Sequence, residues 1–409
     1  MLHDIRVLEI SAPETMVAGE ILADLGADVL VVEPPAGSQA RRLEPFLDDT
    51  PGLERSLTWH ALNRNKRGIT LDLKDPDGRE LFTILAAKFD VILETLGAQG
   101  ESALDGFIFP AKMIRCSISP FASSGPKSEY ASSDLVVMAS SGAPGMTGDY
   151  DRPPIFFSVP QSMMEAGAEA AIAALASLVA RDRDGVGQHA EISARIAAMT
   201  SAMSVPVVMG SGNREIPRMV GRTSVAGVDV PGVFGCADGY VLVTVAAFGP
   251  AFGPMTQRLA KWAADEGHLS REIADLNWST FPADLSNKKT SPAQLAALVG
   301  GIRSLCLSKT KAELGAAARR LGLLTSPVMD MKDVAESEQY RGRGLWAPVS
   351  IRPDGRQLDA PARFAQFSDF TIEIARPAPL LSEHTVEILE AEAGLSRLEI
   401  QALFVQGVI

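Results

Sequence analysis

Short apolar strand patterns alternate with helical patterns through the first third of the chain. The strand patterns lie at residues 5–10, 28–33, 69–73, 90–94 and 112–118, and the helical patterns lie at 14–25 and 76–88. The second helix follows Asp75-Pro76, and an Asp cap with proline in the first helical position is a common helix start. Alternation at this spacing predicts a parallel sheet with helices on both faces. We therefore expect an α/β fold with a doubly wound sheet.

The length of 409 residues favours two domains. Further patterns predict helices at 164–181, from about 193, and near 251–264 and 292–320, a strand at 239–246, and two helices in 384–406 that are separated by Gly394. We predict a large domain begun by residues 1–200, a linker at 201–224, a small α/β domain at 225–325, and a return segment at 326–409 that completes the large domain.

Charge and cysteine usage narrow the choice of partners and compartment. A net charge of −12 argues against nucleic acid or an anionic membrane, which would require a basic face. Three widely spaced cysteines without a C-x-x-C pair fit reduced thiols. The start MLHDIRVLEIS lacks the features of a signal peptide, and the apolar run at 166–180 is short and contains Glu169. We therefore predict a cytoplasmic protein without a spanning helix.

Common cofactor motifs are absent from the sequence. The first strand is followed by Ser11-Ala12-Pro13-Glu14 and not by a GxGxxG turn, so dinucleotide binding is disfavoured. There is no GxxxxGK[ST] phosphate loop, and the five histidines have no metal-ligand spacing. These motifs alone indicate an α/β protein of unknown chemistry, with no metal site and no bound cofactor predicted.

Blocks spread over nearly the whole chain resemble class III (CaiB/BaiF-type) CoA-transferases, in the order found in that family. They are ILADLGADVLVVEPPAG (21–37), NRNKRGITLDLKDPDGRELF (63–82), DVILETLGAQG (90–100), SISPFASSGP (117–126), RDRDGVGQHAEIS (181–193) and PLLSEHTVEIL (379–389). The resemblance implies a Rossmann-like large domain, a smaller α/β domain and ring-like chains that interlock as a dimer. It also implies acyl-CoA as substrate and an aspartate nucleophile that forms an anhydride and then a CoA thioester.

The nucleophile position of the family is occupied by a methionine in this sequence. The aspartate is expected 25 residues before the Gln of the GxGQ motif and four before a helix glycine. Counting from Gln188 and Gly167 gives Met163 in both cases. A thioether can neither form an acyl anhydride nor act as a base. Glu165 is about 200° further round the helix, so we expect it to point elsewhere.

Two other parts of the family pattern are changed. The racemase branch has a histidine beside an aspartate where this chain has Ser132-Ser133-Asp134, so racemase activity is not expected. Ala98 replaces the proline of the family's Pro-Gly turn, and Thr95-Leu96 replaces its Asn-[Phe/Arg] pair. The positions that the resemblance implies for contact with CoA are Arg41, Leu71, Leu73, Lys74, Thr95 and Leu96.

These features predict the non-nucleophilic subunit of a heteromeric CoA-transferase. Its partner would be a homologous subunit that carries the aspartate, and its substrates an acyl-CoA and a carboxylic acid. Two alternatives remain open. One is a CoA-dependent lyase or isomerase that uses Asp134 or Glu165. The other is a homodimer that binds acyl-CoA without catalysis.

Overall fold

The chain divides into two compact units in a computed structural model that describes residues 1–149, 152–201, 221–245, 250–352 and 354–409. The large unit comprises Met1–Pro144, Phe156–Arg214 and Glu338–Ile409, and the small unit comprises Gly145–Ile155 and Glu215–Ser337. Most of the predicted linker at 201–224 lies outside the described residues, namely residues 202–220. The small unit is therefore inserted in the sequence of the large one.

The described strands form a six-stranded parallel sheet and an antiparallel pair in the large unit, and a three-stranded antiparallel sheet and a second antiparallel pair in the small unit. Their bounds are β1 Arg6–Ile10, β2 Asp28–Glu33, β3 Arg67–Thr70, β4 Val91–Thr95, β5 Ile114–Ser119, β6 His189–Ser193, β7 Arg222–Val225, β8 Val228–Pro231, β9 Val233–Cys236, β10 Gly239–Val243, β11 Thr325–Val328, β12 Trp346–Ile351 and β13 Arg356–Pro361. The large sheet has the order β3-β2-β1-β4-β5-β6, with all neighbours parallel. The predicted α/β fold with a Rossmann-like sheet is confirmed.

The helices of the described residues alternate with these strands in the first part of the chain. Their bounds are α1 Met16–Asp24, α2 Leu57–Leu62, α3 Pro76–Ala86, α4 Asp134–Ser141, α5 Ser162–Asp184, α6 Ala194–Ser201, α7 Gly253–Asp265, α8 Arg271–Ala274, α9 Phe281–Ser286, α10 Pro292–Leu307, α11 Lys311–Leu321, α12 Met331–Glu336, α13 Glu338–Gly342, α14 Thr385–Ile388 and α15 Arg397–Gln406. A π-helical segment, Leu389–Ala393, follows α14 directly.

Both faces of the large sheet are covered by helices. Successive strand residues point to opposite faces, so Val7 packs in one apolar cluster and Leu8 in another. The first cluster contains side chains of α1, α5 and α6, and the second contains those of α3 and of the C-terminal segment. Burial on both faces explains why the central strands are almost continuously apolar in sequence.

Helix α5 is the longest helix among the described residues of the large unit, and it carries Met163 in its first turn. It packs against α1 at Gly167, where an added Cβ would lie 2.8 Å from Val17 Cβ. Within the described residues, α5 is long and apolar enough to cross a membrane by length and composition alone, which differs from the expectation of no such helix. Its alanines pack in the core beside the sheet, and a buried core helix passes the same test.

The small unit has its own apolar core. Strands β9, β10 and β11 form an antiparallel sheet, against which α10 and α11 pack. The single helix predicted at 292–320 is wrong, because α10 ends at Leu307 and α11 begins at Lys311. Thr310 starts α11 with a capping box, in which its hydroxyl accepts from Glu313 N and the Glu313 side chain accepts from Thr310 N.

Residues from the end of the chain complete the edge of the large sheet at β3. The Gly68 amide donates to His384 Nδ1 at 3.2 Å, and the Thr70 amide donates to Thr385 Oγ1 at 3.0 Å. The Asp72 amide donates to the Val408 carbonyl at 2.7 Å. These bonds tie β3 to a segment more than 300 residues away in sequence.

Candidate active site

A cavity of about 270 Å³ opens where the strand order of the large sheet reverses. It lies beyond the carboxyl ends of β1, β4 and β5, which is where ligands bind in open α/β sheets. The lining residues are Glu14, Thr95, Leu96, Gly97, Ala98, Ile118, Ser119, Pro120, Phe121, Ala122, Ser128, Tyr130, Ser132, Ser133, Asp134, Val137, Ser162, Met163 and Ala194. All of them belong to the large unit.

Met163 faces this cavity from the start of α5. The preceding turn is fixed by Asp134, whose Oδ1 accepts from Gln161 N at 3.0 Å and from Ser162 N at 2.8 Å. The Ser162 hydroxyl also donates to the same oxygen at 2.7 Å. A carboxylate at a helix N-terminus is favoured by the unpaired amides and by the helix dipole. Met163, the residue that the spacing predicts for the nucleophile position, thus lies in the cavity, and Asp134 accepts the hydrogen bonds at the start of its helix.

Glu165 does not line the cavity, as its position on the helix predicted. It is half-buried beside α6, and its Oε2 has no hydrogen-bond partner among the described residues. Burial raises the pKa of its carboxyl above the ordinary value. This geometry does not favour Glu165 as a displaced nucleophile.

Thr95 and Leu96, two of the predicted CoA-contact residues, line the cavity at the end of β4. Thr95 pairs with Ile118 of β5, so its position is set by the sheet register. Ala98, where the family has proline, lines the same wall. The structure therefore brings this part of the predicted site beside Met163, and contact with CoA stays a prediction.

Leu71, Leu73 and Lys74 lie at the other side of the sheet, after β3. Three strand spacings of about 4.8 Å separate β3 from β4, so these residues do not line the Met163 cavity. Leu71 is buried in the cluster that includes the C-terminal helices, Leu73 packs against it, and Lys74 is exposed. Lys74 carries the charged group of the three, and its exposed side chain is accessible to a ligand.

Arg41 is fully buried in the loop after β2. Its guanidinium donates to the Glu33 carboxylate at 2.7 and 2.8 Å, to Glu54 at 2.7 Å and to the Pro379 carbonyl at 3.0 Å. It also lies 4.0 Å from the ring centroid of Trp59. A buried arginine with these partners fixes the loop. The predicted contact of Arg41 with CoA remains a prediction, and the described geometry gives it a structural role.

The loop after β5 forms a further wall of the cavity. Its Ser119-Pro120-Phe121-Ala122 stretch belongs to the SISPFASSGP block that resembles the family. Pro120 has no amide hydrogen to donate, and Ala122 has a φ of 86°, in the left-handed region that favours glycine. Glu191 of β6 holds the loop, because the Ser119 hydroxyl donates to it at 3.0 Å and the Ser123 hydroxyl at 2.6 Å.

Glu14 is a lining residue that sequence reasoning missed. It lies in the turn between β1 and α1, and burial raises the pKa of its carboxyl above the ordinary value. No hydrogen bond or ion pair joins its side chain to another residue in the described part of the chain. A carboxyl group of perturbed pKa in a cleft is a functional candidate. The sequence feature that could have identified Glu14 as a site residue is its position directly after the first strand of a doubly wound sheet.

Other reactive groups are remote or buried. Cys116, Cys236 and Cys306 are free and buried, and burial raises the pKa of the Cys116 and Cys306 thiols to about 12. Such thiols are poor nucleophiles. Across the described ranges, no group of three or more His, Cys, Asp or Glu side chains could hold a metal ion. The cavity's own polar groups are hydroxyls and the carboxyls of Glu14 and Asp134.

Comparisons with known proteins assign the chain to a family. The family model described as CoA-transferase family III matches residues 2–385. The chain is 28% identical to succinyl-CoA:(R)-benzylsuccinate CoA-transferase subunit BbsE of Thauera aromatica, covering 99% of this chain and 97% of the relative. It is 27% identical to succinate–glutarate CoA-transferase of Agrobacterium fabrum, with 95% and 94% covered. A CaiB/BaiF family protein from Brucella suis shares 26% identity and a TM-score of 0.76 over 95% of this chain and 98% of that one. The chain belongs to CoA-transferase family III.

Proposed function

We propose that this chain is the non-nucleophilic subunit of a heteromeric CoA-transferase in the cytoplasm. The complex would move CoA between an acyl-CoA and a carboxylic acid. The partner would be a homologous chain that carries aspartate at the position of Met163. Similarity to a relative named as a subunit supports a second polypeptide.

The position of Met163 is the observation that carries this proposal. It lies in the cavity at the switch point, on the first turn of α5, where the family pattern expects the aspartate. A thioether cannot form the acyl anhydride. Glu165, the nearest carboxylate on α5, lies outside the cavity lining. The partner's aspartate would therefore supply the nucleophile.

The experiment is co-expression with a homologue that has aspartate at the aligned position. Native mass spectrometry should find equal numbers of the two chains, and the complex should transfer CoA from an acyl-CoA to a carboxylic acid. Asp→Ala in the homologue should abolish transfer, whereas Met163→Ala in this chain should leave the covalent step intact. Hydroxylamine trapping after incubation with acyl-CoA should label the homologue and not residues 155–181 here. Transfer by this chain alone would contradict the proposal.

One observation favours the lyase or isomerase alternative. Asp134 lines the cavity beside Met163, and only its Oδ1 is engaged by the start of α5. The second carboxylate oxygen could accept a proton from a bound acyl group. Loss of an acyl-CoA reaction of the isolated chain on Asp134→Asn, with the fold retained, would support this alternative.

A further inference from the structure

Glu14 and Met163 face the same cavity from two different elements. Glu14 is in the turn after β1, and Met163 is in the first turn of α5. The two elements approach closely, because a Cβ added at Gly167 would lie 3.3 Å from the Glu14 carbonyl oxygen. Gly167 stands four residues after Met163 and so on the same side of the helix. Glu14 therefore lines the side of the cavity next to α5, where the family's chemistry is expected.

The charges around Glu14 are unusual for a site that takes an acid. No lysine, arginine or histidine is among the described residues that line the cavity. The ammonium of Lys127 lies 5.4 Å from the Tyr130 ring centroid and 5.9 Å from that of Phe121, outside the lining. The other lining carboxyl is Asp134. A free carboxylate ligand would thus meet two carboxyl groups and no cation, which disfavours an anion.

An acyl thioester fits this surrounding better than the free acid does. Its acyl end is uncharged, and its carbonyl oxygen accepts a hydrogen bond. Burial raises the pKa of Glu14, so its carboxyl keeps its proton at a higher pH than an exposed glutamate and can act as a donor. Leu96, Ile118 and Val137 supply apolar surface for the rest of the acyl group.

We propose that Glu14 determines specificity in this cavity by donating a hydrogen bond from its carboxyl group to the carbonyl oxygen of an acyl thioester. The cavity then prefers acyl-CoA to the free acid. This inference rests on the proposed function, since it gives the non-nucleophilic chain a defined task, which is to hold the thioester. No bond to Glu14 forms or breaks.

The test measures the acyl preference of the full-length chain, defined as the Kd of CoA divided by the Kd of butyryl-CoA. Isothermal titration at pH 5 and pH 8 would compare these two ligands with butyrate. One hydrogen bond corresponds to a preference of about three- to tenfold. In the wild type the preference should be larger at pH 5 than at pH 8, because Glu14 loses its proton as the pH rises and burial raises its pKa above the ordinary value. Butyrate should bind more weakly than butyryl-CoA at both pH values.

Substitutions separate a donor from a merely structural residue. Glu14→Gln should keep the preference at both pH values, because an amide donates regardless of pH. Glu14→Ala should reduce the preference about three- to tenfold relative to Glu14→Gln at both pH values, and leave the part that the apolar wall contributes. Glu165→Gln is the matched control, and it should keep the wild-type pH profile because Glu165 does not line the cavity. If Glu14→Ala does not fold by circular dichroism, the pH profile of Glu14→Gln decides alone.

Four results would overturn the inference. They are an unchanged preference in Glu14→Ala, a wild-type pH profile in Glu14→Gln, butyrate binding as tight as butyryl-CoA, and no detectable binding of butyryl-CoA. A hydroxylamine-trapped label on Glu14 would overturn both this inference and the non-nucleophilic role. Failure to pair with an aspartate-bearing homologue would overturn the proposed function only, because the preference is measured on the chain alone.

Discussion

Ala122 adopts a backbone conformation that costs an L-residue free energy. Its φ of 86° lies in the left-handed region, and its amide donates to the Ser119 hydroxyl at 3.0 Å, so the loop holds it there. We expect Ala122→Gly to raise the free energy of unfolding by about 1 kcal/mol, because the Cβ clash disappears. Urea denaturation measures the change.

Ala131 offers a matched control for this substitution. It is an exposed loop alanine outside the left-handed region. Ala131→Gly should lower the free energy of unfolding by up to about 1 kcal/mol, because glycine only adds freedom to the unfolded chain. Equal effects at the two positions would mean that the φ of Ala122 carries no strain.

Met163→Asp should not create a full CoA-transferase from the isolated chain. Thr95, Leu96 and Ala98 around it differ from the family pattern, and Pro120 cannot donate an amide hydrogen to an oxyanion. Since a misplacement of about 1 Å costs about 100-fold in rate, we expect turnover at least about 100-fold below that of an aspartate-bearing member. A CoA-transfer assay at saturating acyl-CoA measures it.

Met164→Asp provides the comparison for this variant, because Met164 is the next residue on α5 and does not line the cavity. It should give no turnover at all. If Met163→Asp transferred CoA at a rate close to that of an aspartate-bearing member, the cavity would be able to support CoA transfer. Only the nucleophile would then be missing from the wild-type chain.

At the scale of elements, the contact between α1 and α5 positions the cavity and depends on one glycine. An added Cβ at Gly167 would lie 2.8 Å from Val17 Cβ and 3.3 Å from Ala18 N. Gly167→Ala should therefore lower the free energy of unfolding by about 1–3 kcal/mol through overpacking. Thermal and urea unfolding measure this.

Gly300 of α10 is the matched helix glycine for this experiment. An added Cβ there would have no neighbour within 4 Å, and the residue is exposed. Gly300→Ala should raise the free energy of unfolding by up to about 1 kcal/mol through helix propensity. If Gly167→Ala were also stabilising, the close approach of α1 and α5 would not be tight in solution.

Among the strands of the large sheet, those that sequence predicts most closely are buried on both faces. Strands β1, β2, β4 and β5 are apolar runs, and each was predicted. Strand β6 was missed because it is an edge strand whose His189 and Glu191 are polar. Those side chains make tertiary contacts that sequence does not reveal, with His189 Nε2 2.8 Å from Ser117 Oγ and Glu191 accepting from Ser119.

The candidate site was partly predictable from spacing. Counting from Gln188 and from Gly167 gave Met163, which lines the cavity, and its place as the family's nucleophile position stays a prediction. Glu14 was not predicted, because a glutamate in a turn is ordinarily solvated. Its burial depends on the approach of α5, which is more than 140 residues away in sequence.

At the scale of the whole molecule, the proposed heteromer predicts that this chain associates weakly when alone and stably when it is in complex with its partner. The chain alone carries a net charge of −12, so two copies repel one another at low ionic strength. We expect the isolated chain to be poorly soluble or to form a weak homodimer that dissociates on dilution from micromolar to nanomolar concentration. The complex with an aspartate-bearing homologue should persist over the same range.

Analytical ultracentrifugation and mass photometry measure these species across the dilution series. Raising the salt concentration from 50 to 300 mM should strengthen the homodimer by screening the repulsion. A monodisperse homodimer that resists dilution and catalyses an acyl-CoA reaction without a second polypeptide would contradict this prediction.

Residues 384–408 contact β3 and the loop that follows it, so this edge of the large sheet can be completed only late in synthesis on the ribosome. Strand β3 is made early, yet the bonds from Gly68 to His384 and from Asp72 to Val408 form only after residues 384–408 emerge. Synthesis of residues 215–337 alone takes roughly 6 to 25 s at about 5–20 residues per second. During that interval the cluster that contains Leu71 and Phe82 lacks its C-terminal cover. A nascent chain therefore exposes the apolar side chains of this cluster to chaperones until residues 384–408 have been made.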